Sequence, residues 1–447
     1  MPVAVATLAL LVLQGVDHRL MRDSLLLTLS TSGALLVLFC ALYVAVTRAD
    51  RRTAPVLSRL VTVTIVLGLA VNTMVQLCLL VPHLAEHDRY SIDAGAATDC
   101  ATQLFMHGHD PYTNVHMLTC LYGHGLALNQ TTPMRAGAFQ SLSTYPSGSE
   151  AQGSPASKQL DNVYWKDLSR EKREPGYVTQ EFETRFNYPG GALLIGVVSW
   201  ALGVRDLIGL FLGAMFVASY LIYRSADRRI RLITALLLLG DAPLLLDSAV
   251  GATDVLYAMI LVMYWQLRHR PLSAGLLLGL AIATRQQAWF FAPFLLYLGW
   301  RTGGWRDVRI RLLPAVMVFA VCNLPFIVLN PGDWVSGILG PMRDPLFAEG
   351  VGIVALPIAV FKQQLGSPVI YAVLELVTYC IAFRYFMRRC LTAHGLAMLL
   401  PLLPLVFAWR SLHTYFLILP LLATAVLASS EDLRSMRQAV TRRFSWR

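Results

Sequence analysis

Fourteen apolar runs dominate the chain, at 3–16, 24–47, 60–82, 190–204, 206–223, 232–248, 255–267, 272–284, 287–300, 312–330, 351–361, 368–387, 391–409 and 415–430. A helix crossing a bilayer needs about 20 apolar residues, within a working range of about 17–25. Inside hydrocarbon each backbone polar group must find its partner within the spanning structure. Runs of this number and length therefore predict an all-α polytopic membrane protein. Composition agrees: 56% of the 447 residues are hydrophobic and 14% are charged. A soluble domain averages about 45–50% and about 25%. Several runs are too short to cross squarely, so they borrow flanking residues, break, or re-enter from one side.

Positive charge sorts the runs by side. Arginine-rich connectors lie at 48–59 (Arg48, Arg51, Arg52, Arg59), 224–231 (Arg224, Arg228, Arg229, Arg231), 268–270 (Arg268, Arg270), 301–311 (Arg301, Arg306, Arg309, Arg311) and 384–389 (Arg384, Arg388, Arg389), with a basic tail from Arg434 to Arg447. Placing all six in the cytoplasm requires an odd number of crossings between 83 and 223, and again between 331 and 383. Both conditions hold if 190–204 and 351–361 only dip into the outer leaflet. The expected bundle then has about 12 transmembrane helices with both ends cytoplasmic. Arg19 and Arg22 fit less well, since they fall outside beside Asp17 and Asp23. The net charge of +10 is read as basic loops facing anionic lipid, not as a nucleic-acid surface. No cleavable signal peptide stands out at the start.

The expected organisation is N-terminal transmembrane helices over 1–82 and a large extracytoplasmic loop with interfacial and re-entrant helices over 83–205. Central transmembrane helices follow over 206–330, a second outer loop over 331–367, C-terminal transmembrane helices over 368–430, and a basic cytoplasmic tail over 431–447. Within the first loop, 91–107 reads as an amphipathic helix lying on the membrane. Gly108 to Tyr112 is a turn, and 129–158, rich in Ser, Gly, Pro, Gln and Thr, reads as a flexible segment. Cys40, Cys78, Cys322, Cys380 and Cys390 lie in or beside apolar runs as small packing residues. Cys100 and Cys120 share the outer loop, where a disulfide and two free thiols both stand as readings.

The polar stretches expected outside meet at one face of the bundle. Asp88, Asp93 and Asp99 follow the third apolar run, where a carboxylate serves as a general base or simply solvates an interfacial helix. Asp241, Asp247 and Asp254 lie in and after 232–248, and an acid at span depth faces a cavity or a partner. Arg285-Gln286-Gln287 interrupts an apolar stretch. Its guanidinium either meets an anion, phosphate included, or snorkels to the interface. Arg410 to Tyr415 is a short polar connector on the same side. There is no Walker A loop, no HExxH and no CxxC pair.

Four stretches, in order, resemble the GT-C superfamily of membrane glycosyltransferases. They are IDAGAATDCATQLFMHGHDPY (92–112), RFNYPGGALL (185–194), GATDVLYAMILVMYWQLRHRPLSAGLLLGLAIATRQQAWFFAPFLL (251–296) and WRSLHTYFLILPLL (409–422). The likeness is to bacterial mannosyltransferase-like members that use polyprenyl-phosphate sugars, and it covers about 90 to 430. It implies inverting transfer of a sugar from a polyprenyl-phosphate donor to a hydroxyl of a glycan, lipid or protein acceptor, at the outer face of a bacterial plasma membrane. By that pattern Asp93 is the first choice of base and Asp99 the second. Arg285 would stabilise the departing lipid phosphate, assisted by Arg410 and His413. Asp254, Gln286, Tyr188 and Tyr112 would line the sugar or acceptor pocket. Two departures bear on this: Arg285 stands where many relatives have Lys, and no D-x-D pair follows the third run, which leaves a divalent metal open. A secondary transporter and a non-catalytic lipid-handling scaffold are the competing readings.

Overall fold

The structure, a computed structural model, describes Leu67, Ala70, Met74, Cys78 and residues 90–429 except 114–115, 127, 143–154, 229, 362–363 and 365. The expected crossings at 3–16, 24–47 and 60–82, the connector 48–59, Arg19, Arg22, Asp88 and the basic tail lie outside the described residues, apart from those four positions. The described part is mainly helical, with fifteen α-helices and one two-residue parallel strand pair.

Three helical stretches are long and apolar enough to cross a membrane: Leu207–Ser225, Gln286–Leu329 and Pro368–Arg389. A fourth crossing is available if the bent pair Arg231–Leu239 and Pro243–Ala249 acts as one span. In chain order the elements begin with α1 (Asp93–Met106), α2 (Met117–Gly123), α3 (Pro155–Glu171) and α4 (Gly190–Ala201). The bundle continues with α5 (Leu207–Ser225), α6 (Arg231–Leu239), α7 (Ala242–Ala249), α8 (Asp254–Gln266), α9 (Pro271–Thr284) and α10 (Phe291–Leu329). Then come α11 (Pro331–Arg343), α12 (Ala355–Phe361), α13 (Pro368–Arg389), α14 (Leu396–Leu399) and α15 (Thr414–Ala428).

Local chemistry sets these boundaries. The Asp206 carboxylate accepts from Ile208 N at 2.9 Å and so satisfies an orphan donor where α5 starts. Pro271 opens α9, where its missing N–H has no partner to lose. Gly275 and Gly279 of α9 abut the backbone of Arg311 and Ala315, so small residues four apart let α9 and α10 touch. In the core α8 is packed between α5 and α9, and α15 closes against α8.

Three expectations are corrected here. The run 232–248 is not one straight helix: it bends by 50° where Gly240 and Asp241 interrupt it and Pro243 restarts it. The basic connector 301–311 is helical on both sides of Gly304, whose φ of 72° breaks α10 into two helices, and Gly299 lies against the Asp307 and Arg311 side chains, so the second half of α10 folds back on the first. α1 does not lie on a surface with one face free, because Ala94, Gly95, Ala96 and Thr98 to Thr102 are buried, against α4 and α2 among others. Of the segment 129–158, the described residues 129–142 are packed against the rest of the chain and 155–158 are helical. Pro133 and Met134 bridge to Phe182 and Leu346, and α3 starts at Pro155. That region has its own small core of Leu118, Phe139, Leu160, Tyr164, Leu168, Phe182 and Phe347. The Glu171 carboxylate accepts from Leu118 N and from Thr119 N at 2.6 Å, so the end of α3 caps the start of α2.

A disulfide joins Cys100 of α1 to Cys120 of α2, which resolves the two readings of that pair. It closes a loop with a sequence separation of 20. In the chain-entropy account a loop of this length stabilises by about 3 kcal/mol. Cys100→Ser is therefore expected to lower the unfolding free energy of the 90–206 region by about that amount. Denaturant titration in detergent micelles checks it, and added reductant should have no further effect on the variant.

Candidate active site

The site forms where α1 begins, against the turn between α7 and α8. The Val250 carbonyl accepts from Ser91 N and Ile92 N at 3.1 and 3.2 Å. One turn further, Gly95 lies against the Gly251 backbone, close enough that a Cβ on Gly95 would collide with it. Gly251 itself sits at φ 108°, a conformation only glycine adopts cheaply. These contacts hold Asp93, the first residue of α1, beside the segment that presents Thr253 and Asp254. Asp93 is half-buried, and Thr132 Oγ1 donates to its Oδ2 at 2.5 Å.

Arg285 reaches the same place from α9. The helix stops at Thr284, Arg285 turns to extended backbone, and a short 3-10 helix, Gln286–Phe290, follows. The guanidinium grips Asp254 with two bonds, Nε to Oδ1 at 3.2 Å and Nη2 to Oδ2 at 3.1 Å, and Nη1 donates to Thr253 Oγ1 at 2.5 Å. Both side chains of the pair are almost wholly buried, 4% and 3% exposed. The Arg285 guanidinium lies over the Tyr188 ring, 4.2 Å from its centroid. Tyr188 also lies within the field of Asp93. Among the described residues, three of the five guanidinium N–H groups are engaged, by Asp254 and Thr253, which leaves two for another acceptor. Tyr257 Oη and Gln287 Oε1 are buried polar atoms without a hydrogen-bond partner among the described residues. Tyr257 lies within the field of Asp254, Arg285 and Tyr415.

The 409–422 motif completes the cluster. Arg410 Nη2 pairs with Glu349 Oε2 at 2.7 Å, and Glu349 and Arg410 face each other in the parallel strand pair. His413 Nε2 is 3.2 Å from Asp247 Oδ2, and Asp247 is fully buried. Tyr415 interacts with Arg285, Arg410 and Asp254, and Thr414 with Asp254.

Of the candidates named from sequence, Asp93, Tyr188, Asp254, Arg285, Arg410 and His413 converge on this junction. Gln286 and Tyr112 stand behind it as supports. The Gln286 amide donates to the Asn187 carbonyl, and Tyr112 Oη donates to the Tyr188 carbonyl at 2.8 Å, so both fix the backbone carrying Tyr188. Asp99 is not part of the cluster. It is buried among Tyr90, His124 and Trp200, and Tyr90 Oη donates to it at 2.8 Å. Burial holds its carboxyl above the usual range, against the opposing pull of His124 and the Tyr90 hydroxyl. Residues not singled out as site groups are Thr132, Thr253, Tyr257 and Glu349. Thr253 was signalled by its place beside Asp254, whereas Thr132 sits in a segment whose composition points to a mobile loop.

Among the described residues, the one group of three side chains that could hold a metal ion is Cys100, Cys120 and His124, whose two sulfurs are bonded to each other. Asp93, Asp247 and Asp254 do not form such a group.

A carboxyl pair adjoins Thr132. Glu183 N donates to the Thr132 carbonyl, and Glu183 faces Asp344, which lies 3.6 Å from Arg185. Burial first, then the Asp344 charge, pushes the Glu183 carboxyl up to about 8. The folded state thus holds a proton that the unfolded chain releases near the ordinary glutamate value of about 4.3. Stability from this group is complete below that value and is lost as pH rises toward 8. Melting midpoints of wild type should therefore fall between pH 5 and 8 by more than those of Glu183→Gln.

No protein-family profile, curated protein or solved structure matches this chain.

Proposed function

We propose that the protein is a membrane glycosyltransferase of the GT-C kind, moving a sugar from a polyprenyl-phosphate donor to an acceptor hydroxyl with inversion. The observation that carries this reading is the convergence of a half-buried carboxylate, Asp93, with a buried, aromatic-backed guanidinium, Arg285, where α1 and α8 begin and α9 ends. In the proposed step the acceptor oxygen attacks the anomeric carbon as the bond from that carbon to the phosphate oxygen breaks. Asp93 takes the acceptor proton. The lipid phosphate leaves as an anion, and the free N–H groups of Arg285, with Arg410 and His413, meet the charge that develops on it. Tyr188 holds the guanidinium plane, and Tyr257 Oη donates to a substrate oxygen.

The wider architecture belongs to the same proposal. It comprises about 12 spans, two short apolar helices at 190–204 and 351–361 that do not cross, and a loop region outside the cytoplasm of a bacterial plasma membrane. α4 and α12, at 12 and 7 residues, are too short to cross on their own, which fits that scheme. The Cys100–Cys120 disulfide fits an oxidising, extracytoplasmic location for 90–206. The bent pair around Asp241 is the feature a transporter would use.

The test uses purified protein with a panel of radiolabelled polyprenyl-phosphate hexoses and pentoses and hydroxyl acceptors. Product with inverted anomeric configuration supports the proposal. Solute flux in proteoliposomes without transfer from any donor would favour the transporter, and neither activity would favour the scaffold.

A further inference from the structure

The turn between α5 and α6 carries a cavity unrelated to the catalytic cluster. It has a volume of about 360 Å³ and is lined by Tyr220, Tyr223, Arg224 and Arg231. Its cations are only lightly occupied. Arg224 Nη1 reaches Tyr220 Oη at 3.5 Å, and Arg231 Nη2 reaches the Ala226 carbonyl at 3.3 Å. The Arg231 guanidinium sits 5.4 Å from the Tyr223 ring centroid. Arg231 Nε is buried with no hydrogen-bond partner among the described residues. A buried donor without an acceptor is costly, and an anion in the cavity would relieve it. Helix dipoles do not decide the matter: the C-terminus of α5 and the N-terminus of α6 meet here, and their roughly half charges of opposite sign offset each other. The lining keeps the two full positive charges of Arg224 and Arg231. The acid nearest in sequence, Asp227, is exposed and already has a partner.

The surface leading to the cavity is apolar. Phe216, Val217 and Tyr220 are 62%, 45% and 58% exposed and follow one face of α5, with Gly213 a turn earlier. Leu232 is 59% exposed on the neighbouring helix. An apolar track that ends in two guanidiniums and two phenols matches an acyl chain joined to a phosphate. We infer that the α5–α6 turn is a binding site for the headgroup of an anionic phospholipid, with its acyl chain along the 213–217–220 face of α5. Arg224 and Arg231 contact the phosphate, and the Tyr220 and Tyr223 hydroxyls stand at its edge, at the depth where amphipathic aromatics settle.

The test uses the full-length protein, delipidated in a neutral detergent and reconstituted in nanodiscs of phosphatidylcholine with increasing phosphatidylglycerol. Melting midpoint and lipids retained in native mass spectrometry are read for wild type, Arg224→Gln, and Arg224→Gln with Arg231→Gln. Wild type should be stabilised by phosphatidylglycerol and retain it over phosphatidylcholine. The double variant should lose about 30-fold in apparent affinity, from roughly fivefold per basic group at an anionic surface. Arg224 is exposed and makes one long hydrogen bond, so the single variant should fold and show about a fivefold loss. Equal response to both lipids, or unchanged selectivity in both variants, would overturn the assignment. So would the same stabilisation of wild type by inorganic phosphate alone, since the ligand would then be a free anion.

Discussion

Replacing Arg285 with Met should destabilise the protein more than any other single substitution at the site, by about 3–5 kcal/mol. The reason is the partner left behind. Asp254 is 2% exposed, and without the guanidinium its carboxylate has only Thr414 and helix N-terminal groups to meet it. Arg285→Lys should recover only part of the loss, because one ammonium cannot reproduce the two parallel bonds to Oδ1 and Oδ2. The double substitution Asp254→Leu with Arg285→Met removes both charges and should return stability to within about 1–2 kcal/mol of wild type. Denaturant titration of the four proteins in one detergent checks the ordering. Recovered stability without recovered activity separates the fold-holding role of the pair from its proposed role toward phosphate.

Asp93→Asn should lower the transfer rate by about 10²–10⁴-fold, the range general bases contribute. The amide keeps the size of the side chain and can still accept from Thr132 Oγ1, so folding should be unchanged. Thr132→Val leaves the carboxylate but removes its 2.5 Å hydrogen bond, so Asp93 loses its fixed rotamer. A bond to a charged group contributes about 1.5–3 kcal/mol, so kcat should fall by about tenfold or more with KM little changed. Steady-state kinetics on the best donor of the panel distinguishes the two variants. Equal effects on kcat and KM in Thr132→Val would point to a structural role for that hydroxyl.

The sequence carries the helical content and most helix positions, because hydrophobic runs and their Pro, Gly and Asp boundaries are local. The break at Gly240-Asp241 also has local signals, a glycine, an acid and Pro243, inside what looks like one run. The connector 301–311 is helical on both sides of its break at Gly304, and arginine is a good helix former. The placement of Pro133 and Met134 cannot be seen locally at all, since it comes from Phe182 and Leu346, tens to hundreds of residues away. At the site, Asp254 and Arg285 stand out because charge in apolar surroundings needs a partner, whereas Asp93 stands out only through the family resemblance. Their meeting depends on the Ser91–Val250 and Gly95–Gly251 contacts, which pair distant segments. Asp93 and Asp99 are six residues apart on α1, roughly 240° around the helix, so they cannot serve one site from one face.

The central claim is that the Asp93–Arg285 junction performs inverting sugar transfer. The most direct measurement is product formation, with its anomeric configuration, by wild type, Asp93→Asn, and the folded Asp254→Leu with Arg285→Met double variant. The account predicts inverted product from wild type and almost none from either variant, with all three folded. Wild-type transfer that survives in both variants, or product with retained configuration, would contradict it.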